Sequence, residues 1–282
     1  DPNTILMNAP NKASEIFHAM IDAAEFVKNE DSSSKPLRRL ITMEEMMSDL
    51  GGVNWLIEGV LEQEVFGVLY GAPKTGKTFV ALDMSLSIAS GKNYHGKPTT
   101  QGAVVYVAGE GVSGLRRRTK AWCIEHGVDA NSLPVLWSRR GQPLTDAEEA
   151  RALSQEITQL AEQHDVPVSL IVIDTLNRNF GGADENSTKD MTAFVANLDL
   201  LRTDHNATIL VVHHSGLSTD KRSRGSSVLY GAVDANMQVS TRRDAVVLNV
   251  EVLKDADSPP PLIFSNHSIE FQTTDGETAS SL

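Results

Sequence analysis

Cysteine occurs once, as Cys123, so the chain can build neither an intramolecular disulfide nor a multi-cysteine zinc site. It also lacks any apolar run near the ~20 residues needed to span a bilayer. Its longest runs, around Leu170–Ile173 and Ile209–Val212, have the length of buried strands. A cytoplasmic protein with no membrane partner is the expectation. Positive charge is in deficit: 25 Lys+Arg stand against 37 Asp+Glu, a formal net charge of −12. At face value that balance argues against a generic DNA coat. No internal repeat is present. What remains is an ordinary globular composition, 40% hydrophobic and 22% charged over 282 residues. Disorder throughout is thereby excluded, and there is chain enough for one or two domains with a large core.

The N-terminal stretch differs from the rest. Ser14 precedes Ile16, Phe17, Met20, Ile21, Ala24 and Val27, spaced as on one face of a short amphipathic helix. Polar residues from Asn29 to Lys35, closed by Pro36, read as a linker, so residues 1–36 form a helix and linker. The apolar face must be buried, against its own domain or against a neighbouring subunit. From Leu56 onward strands alternate with helices. Val65–Tyr70, Ala103–Ala108, Leu170–Ile173 and Thr208–Val212 are nearly continuous apolar runs, as expected of strands covered on both faces. Phe79–Ser90 is a helix stopped by Gly91. Ala150, Leu153, Ile157 and Leu160 mark a second, opened by the capping-box spacing of Thr145 and Glu148. Met191, Phe194, Leu198 and Leu201 mark a third behind Ser187. This alternation predicts an α/β fold with a mostly parallel, twisted central sheet flanked by helices. Residues 37–272 form that domain. Near its end Val246, Leu248, Val250 and Val252 alternate with a second set of positions, and Leu262–Phe264 can return as a partner, giving a C-terminal β-hairpin. Residues 273–282 are polar and expected to fray.

The strongest chemical signal is Gly71-Ala72-Pro73-Lys74-Thr75-Gly76-Lys77-Thr78, followed by Phe79. It is a full G-x-x-x-x-G-K-[ST] match between a strand and a helix. Glycines let backbone N–H groups turn inward around phosphate oxygens, and the helix N-terminus adds partial positive charge. Lys77 is placed to reach the β- and γ-phosphates, and the Thr78 hydroxyl to ligate Mg²⁺. ATP and Mg²⁺ are the expected ligands. Leu170-Ile171-Val172-Ile173 then delivers Asp174 to the carboxyl end of a buried strand, where it can hold Mg²⁺ through water. Glu110, at the end of the Ala103–Ala108 strand, can orient and deprotonate an attacking water; the competing reading is an acid at a helix start.

His213 and His214 follow another strand. Adjacent strand residues face opposite sides, so the two are not expected to share a metal. One of them, His214 first, can report the γ-phosphate through a hydrogen bond lost on hydrolysis. Basic residues are sorted rather than spread. Lys221, Arg222 and Arg224 gather in a stretch from Gly216 to Ser227 with little apolar periodicity, a long loop suited to phosphate-backbone contact or simply solvated. Arg116, Arg117, Arg118 and Lys120 are read as a charged helix face.

Taken in order, Trp55-Leu56-Ile57-Glu58-Gly59, the phosphate loop, the Glu110 strand, Ile173-Asp174-Thr175-Leu176, His213-His214 and Arg224-Gly225-Ser226-Ser227 resemble the RecA-like ATPases of the plasmid RepA type, hexameric replicative helicases related to the DnaB class. The likeness runs from about Trp55 to Lys254. It implies a RecA-like P-loop core that assembles as a homohexameric ring on single-stranded DNA in DNA replication. It further implies that Glu110 is the catalytic base and that His213 and His214 couple nucleotide state to DNA loops. Arg224 becomes a finger for the neighbour's γ-phosphate, and Lys254 a second group acting in trans. The loops after Asp174 and His214, with Arg178, Lys189, Lys221 and Arg222, line a channel for single-stranded DNA. Only Phe180 and Tyr230 lie in or beside those loops as aromatics, so backbone contact is favoured over base stacking. A filament-forming recombination or annealing ATPase uses the same core and remains the alternative.

Overall fold

The computed structural model describes residues 42–48, 51–109, 111–164, 166–214, 227–273 and 275–281. The chain divides into two compact units, residues 1–51 and 52–282. The amphipathic helix expected at residues 14–28, and the linker after it, lie outside the described residues. Of the first unit the structure describes helix α1 (Met43–Ser48), on which Met43, Met46 and Met47 are exposed.

The second unit is built on an eight-stranded sheet. Its parallel half contains β3 (Phe66–Gly71), β4 (Ala103–Ala108), β5 (Val135–Trp137), β6 (Val168–Asp174) and β7 (Thr208–His214). β8 (Ala235–Arg242) runs parallel to β3, after which β9 (Ala245–Leu253) and β10 (Leu262–Ser265) add an antiparallel wing. The order across the sheet is β10-β9-β8-β3-β7-β6-β4-β5. A small antiparallel pair, β1 (Trp55–Ile57) and β2 (Leu61–Glu62), precedes it.

Alternation along each central strand feeds two separate cores. On β4, Val104, Tyr106 and Ala108 join the first, while Val105 and Val107 join the second. Helix α2 (Lys77–Ser90) and Leu115 of helix α3 (Val112–His126) close the first core. Helices α4 (Ala147–His164), α5 (Thr188–His205) and α6 (Ser227–Ala232) close the second. A strand covered on both faces has no polar side, which is why these strands read as unbroken apolar runs. All parallel carboxyl ends therefore emerge at one edge, where α/β folds bind ligands.

Among the described residues, two of the three expected helix boundaries form as their local residues dictate. Gly91 ends α2 in the left-handed conformation, φ 68°, and its N–H reaches Ile88 O at 3.2 Å. Ser187 Oγ accepts from Asp190 N at 3.3 Å at the start of α5. At α4, however, Asp146 is the residue that caps, with Oδ1 accepting from Glu148 N at 2.8 Å. The Thr145 hydroxyl is instead drawn to Phe180 O at 3.1 Å, so a tertiary contact displaces the expected capping box. The segment expected to fray also contains structure. β11 (Ile269–Gln272) pairs with β12 (Thr278–Ser281) and packs on α3. The alternation of half-buried and exposed positions in β12 is too polar to announce a strand in sequence.

Candidate active site

The loop from Gly71 to Thr78 joins the end of β3 to the start of α2. Its glycines are structural requirements. A Cβ on Gly71 would collide with Val239 O, and Gly76 has φ +95°. The Thr75 hydroxyl ties the loop to Ala72 O at 2.9 Å, while Ala72, Pro73 and Lys74 are exposed. Lys77 points back under the loop. Its Nζ donates to Gly71 O at 2.9 Å and Ala72 O at 2.8 Å, and lies 3.2 Å from His214 Nδ1. Burial pulls its pKa down to about 8, against the opposing attraction of Asp174.

Asp174, at the end of β6, is 7% exposed. Burial raises its pKa, and hydrogen bonds from Tyr106 and Thr78 together with Lys77 and Arg118 pull the other way. The Tyr106 hydroxyl donates to Asp174 Oδ2 at 2.7 Å from the neighbouring strand. A buried carboxylate touching a threonine hydroxyl offers hard oxygen donors, and the charge favours a divalent cation. Among the described residues no three His, Cys, Asp or Glu side chains could cage a metal by themselves. This sparse oxygen set fits Mg²⁺, which keeps several waters and shares phosphate oxygens.

The two histidines separate as the strand pleat requires. His213 is 2% exposed, opposite Tyr70 in the β3–β7 pairing, while His214 is exposed opposite Gly71. A cavity of about 650 Å³ opens above this group, walled by Lys77, Thr78, Arg118, Asp174, His214 and Thr241. Arg118 is the residue that sequence reasoning does not single out. Its guanidinium sits 4.2 Å from the centroid of the Phe79 ring, inside the cavity wall. Arg116, Arg117 and Lys120 are exposed, so the charged-face reading describes them but not Arg118. Four charges in five positions give no indication of which one faces a cleft; only the helix phase on the sheet decides it. Thr241 and Val246 are further additions, contributed by the β8–β9 wing.

Other expected residues are placed as follows. Glu110, Lys221, Arg222 and Arg224 lie outside the described residues. The residue before Glu110 is described: Gly109 N donates to Asp174 O at 2.7 Å, so β4 brings the chain to the edge beside Asp174. Arg178, in the turn after β6, and Lys189, at the start of α5, are exposed at the same edge. Lys254 is not brought into the cavity. It follows β9, whose end pairs with the start of β8, placing it at the opposite sheet edge. There Nζ bonds Asp234 Oδ1 at 2.8 Å, and that carboxylate raises its pKa.

A phosphate-binding loop, a buried strand-end aspartate and a parallel sheet are shared by many nucleotide-binding families, so the family rests on sequence. Residues 33–220 match the family described as AAA domain, which covers more than half of the chain. The chain belongs to the AAA domain family. Among solved structures, this AAA domain protein is similar to one whose title describes an ATPase domain, with a TM-score of 0.56 and 14% identity over 78% of this chain and 90% of that chain. At that identity the likeness concerns the fold, which is a RecA-like α/β core carrying a C-terminal antiparallel hairpin. No curated protein sequence matches the chain. The AAA domain assignment and the fold make the site that of a P-loop ATPase. Among the described residues no helix is long and apolar enough to cross a membrane.

Proposed function

We propose that this ATPase is a ring-forming DNA helicase or translocase that couples ATP hydrolysis to movement along single-stranded DNA in DNA replication. The observation that carries the reading is the 3.2 Å approach of Lys77 Nζ to His214 Nδ1. Lys77 is the phosphate-binding lysine, and His214 is the last residue of the strand that runs into the basic stretch containing Lys221, Arg222 and Arg224. A phosphate arriving at Lys77 must compete for the ammonium with Gly71 O, Ala72 O and His214. Nucleotide state is thereby transmitted to the residues that follow β7.

Within this reading the chain's own groups have distinct tasks. The loop N–H groups and Lys77 hold phosphate oxygens. Thr78, and Asp174 through water, would hold Mg²⁺, which would supply charge neutralisation at the phosphates. Arg118 over Phe79 offers a cationic platform beside the phosphates. Glu110 deprotonates water, and Arg224 reaches a neighbour's nucleotide in a homohexamer. Lys254 stands about six strand residues, or roughly 20 Å, from the loop edge of its own subunit. Its proposed task is therefore at a neighbouring site, after leaving Asp234.

The test is ATP hydrolysis with and without single-stranded DNA, followed by strand displacement on a forked duplex. Stimulation with unwinding supports the reading. Stimulation without unwinding favours the filament-forming recombination ATPase, and phosphoryl transfer to a metabolite without DNA dependence rejects both. Arg224→Ala should lower hydrolysis by on the order of 10³ while nucleotide binding persists; normal turnover in that variant removes the finger assignment.

A further inference from the structure

Three arginines meet at the carboxyl edge of the sheet on two loops that sequence separates. Arg139 and Arg140 follow β5, Arg178 follows β6, and all three are exposed. The loops are stitched together. Gln142 N donates to Asn179 Oδ1 at 2.8 Å, Leu144 N to Asn179 O at 2.9 Å, and the Thr145 hydroxyl to Phe180 O at 3.1 Å. Asn179 is fully buried. A Cβ on Gly141 would fall 2.7 Å from Arg178 O, so the backbones are in direct contact beside Arg140. Among the described residues neither the Arg139 nor the Arg140 side chain makes an ion pair or a hydrogen bond, although Glu149 and Glu156 line the groove that the two arginines border.

The same stitching reaches the hydrolytic strand. Ala108 N donates to Ser138 Oγ at 2.8 Å, and Ser138 N donates to Tyr106 O at 3.0 Å. A Cβ on Gly109 would collide with the Cβ of Arg178, while Gly109 N holds Asp174 O at 2.7 Å. The loops that carry these arginines are therefore bonded to, or in contact with, the strand ends that carry Asp174 and lead to Glu110. On a chain with net charge −12, three exposed arginines on two hydrogen-bonded loops make a local positive site for a polyanion.

We infer that Arg139 and Arg140, with Arg178, form a phosphodiester-binding surface for single-stranded DNA, mechanically joined to the end of β4. The inference rests on the proposed DNA-dependent function and extends its contact surface to a loop after the edge strand. Arginine binds phosphate in a planar, bidentate manner without reading bases, so the contact is sequence-independent and salt-sensitive.

The test is binding of labelled oligothymidylate to the full chain across a salt series, read by fluorescence anisotropy. Arg139→Ala with Arg140→Ala should flatten the log–log salt slope by about 1.4, two phosphate contacts at ~0.7 each, and weaken binding roughly 25-fold at 0.1 M salt. Arg139→Lys with Arg140→Lys should keep most of the slope, which a packing role would not require. The melting temperature of each variant is measured alongside. An alanine pair that melts and binds like the wild type, with the same slope, overturns the inference. Wild-type protein that binds no oligothymidylate at any salt overturns the function reading itself, and this surface with it.

Discussion

Two lysines at opposite edges of one sheet show how differently the fold treats a charge. At the carboxyl edge Lys77 is buried beneath its own loop, with its pKa pulled down to about 8 by desolvation. At the amino edge Lys254 is exposed and bonded to Asp234, which raises its pKa. One edge holds an ammonium and a carboxylate, Lys77 and Asp174, that are each only partly compensated, and each gains from an arriving ligand of opposite charge. The other edge holds a satisfied surface pair. Uncompensated buried charge is costly to the fold, and its concentration at one edge marks where ligand binding can return that cost.

The largest effect is expected at Lys77. Lys77→Ala should reduce ATP hydrolysis by at least ~10³ while the fold persists, because the ammonium acts on phosphates and on loop carbonyls rather than in a core. Circular dichroism and turnover measured together check this.

Asp174→Asn should also abolish Mg²⁺-dependent hydrolysis, yet it should stabilise the protein. The amide keeps an oxygen for Tyr106 and removes a negative charge that burial disfavours, the same desolvation that raises its pKa. A gain of a few degrees in melting temperature is expected, at ~2–4 °C per kcal/mol for a domain of this size. A lower melting temperature would mean that attraction to Lys77 outweighs desolvation.

The pH dependence follows from the same asymmetry. Nucleotide phosphates bind the protonated Lys77, so above about pH 8 binding must recover a proton, and affinity should fall by up to about tenfold per pH unit. For stability the sign is opposite. The folded lysine releases its proton near 8 and the unfolded one near 10.5, so its contribution rises with pH between those values. Isothermal titration of a non-hydrolysable ATP analogue over pH 7 to about 9.5 reads the first effect.

The smallest change is expected at the amino edge. Lys254→Ala removes an exposed ion pair and should leave the melting temperature within about 2 °C of the wild type. If turnover nevertheless falls in the assembled protein, Lys254 acts at a neighbour's site as proposed.

The parts of the site that are legible in sequence are those fixed by short-range geometry. Gly71 to Thr78 carries its own turn, and Asp174 ends an apolar run whose burial on both faces is written in its composition. Strand and helix alternation announces the parallel sheet for the same reason. What is not legible depends on tertiary placement. β5 is three half-buried residues at a sheet edge, too short for a periodic signal. β8 is recognised as a strand by its pairing with β3 and β9 rather than by its residues alone. Arg118 is distinguished from Arg116, Arg117 and Lys120 only by the rotation of α3 over Phe79. Thr145 has the spacing of a cap but a better partner in Phe180 O.

The link between nucleotide and DNA is tested most directly at His214, which touches Lys77 and lies in no core. Steady-state ATP hydrolysis should be compared with and without oligothymidylate for the wild type and for His214→Ala. DNA should stimulate the wild type, whereas the variant should keep a hydrolysis that DNA no longer stimulates. Equal fold-stimulation in both proteins, or none in the wild type, would contradict it.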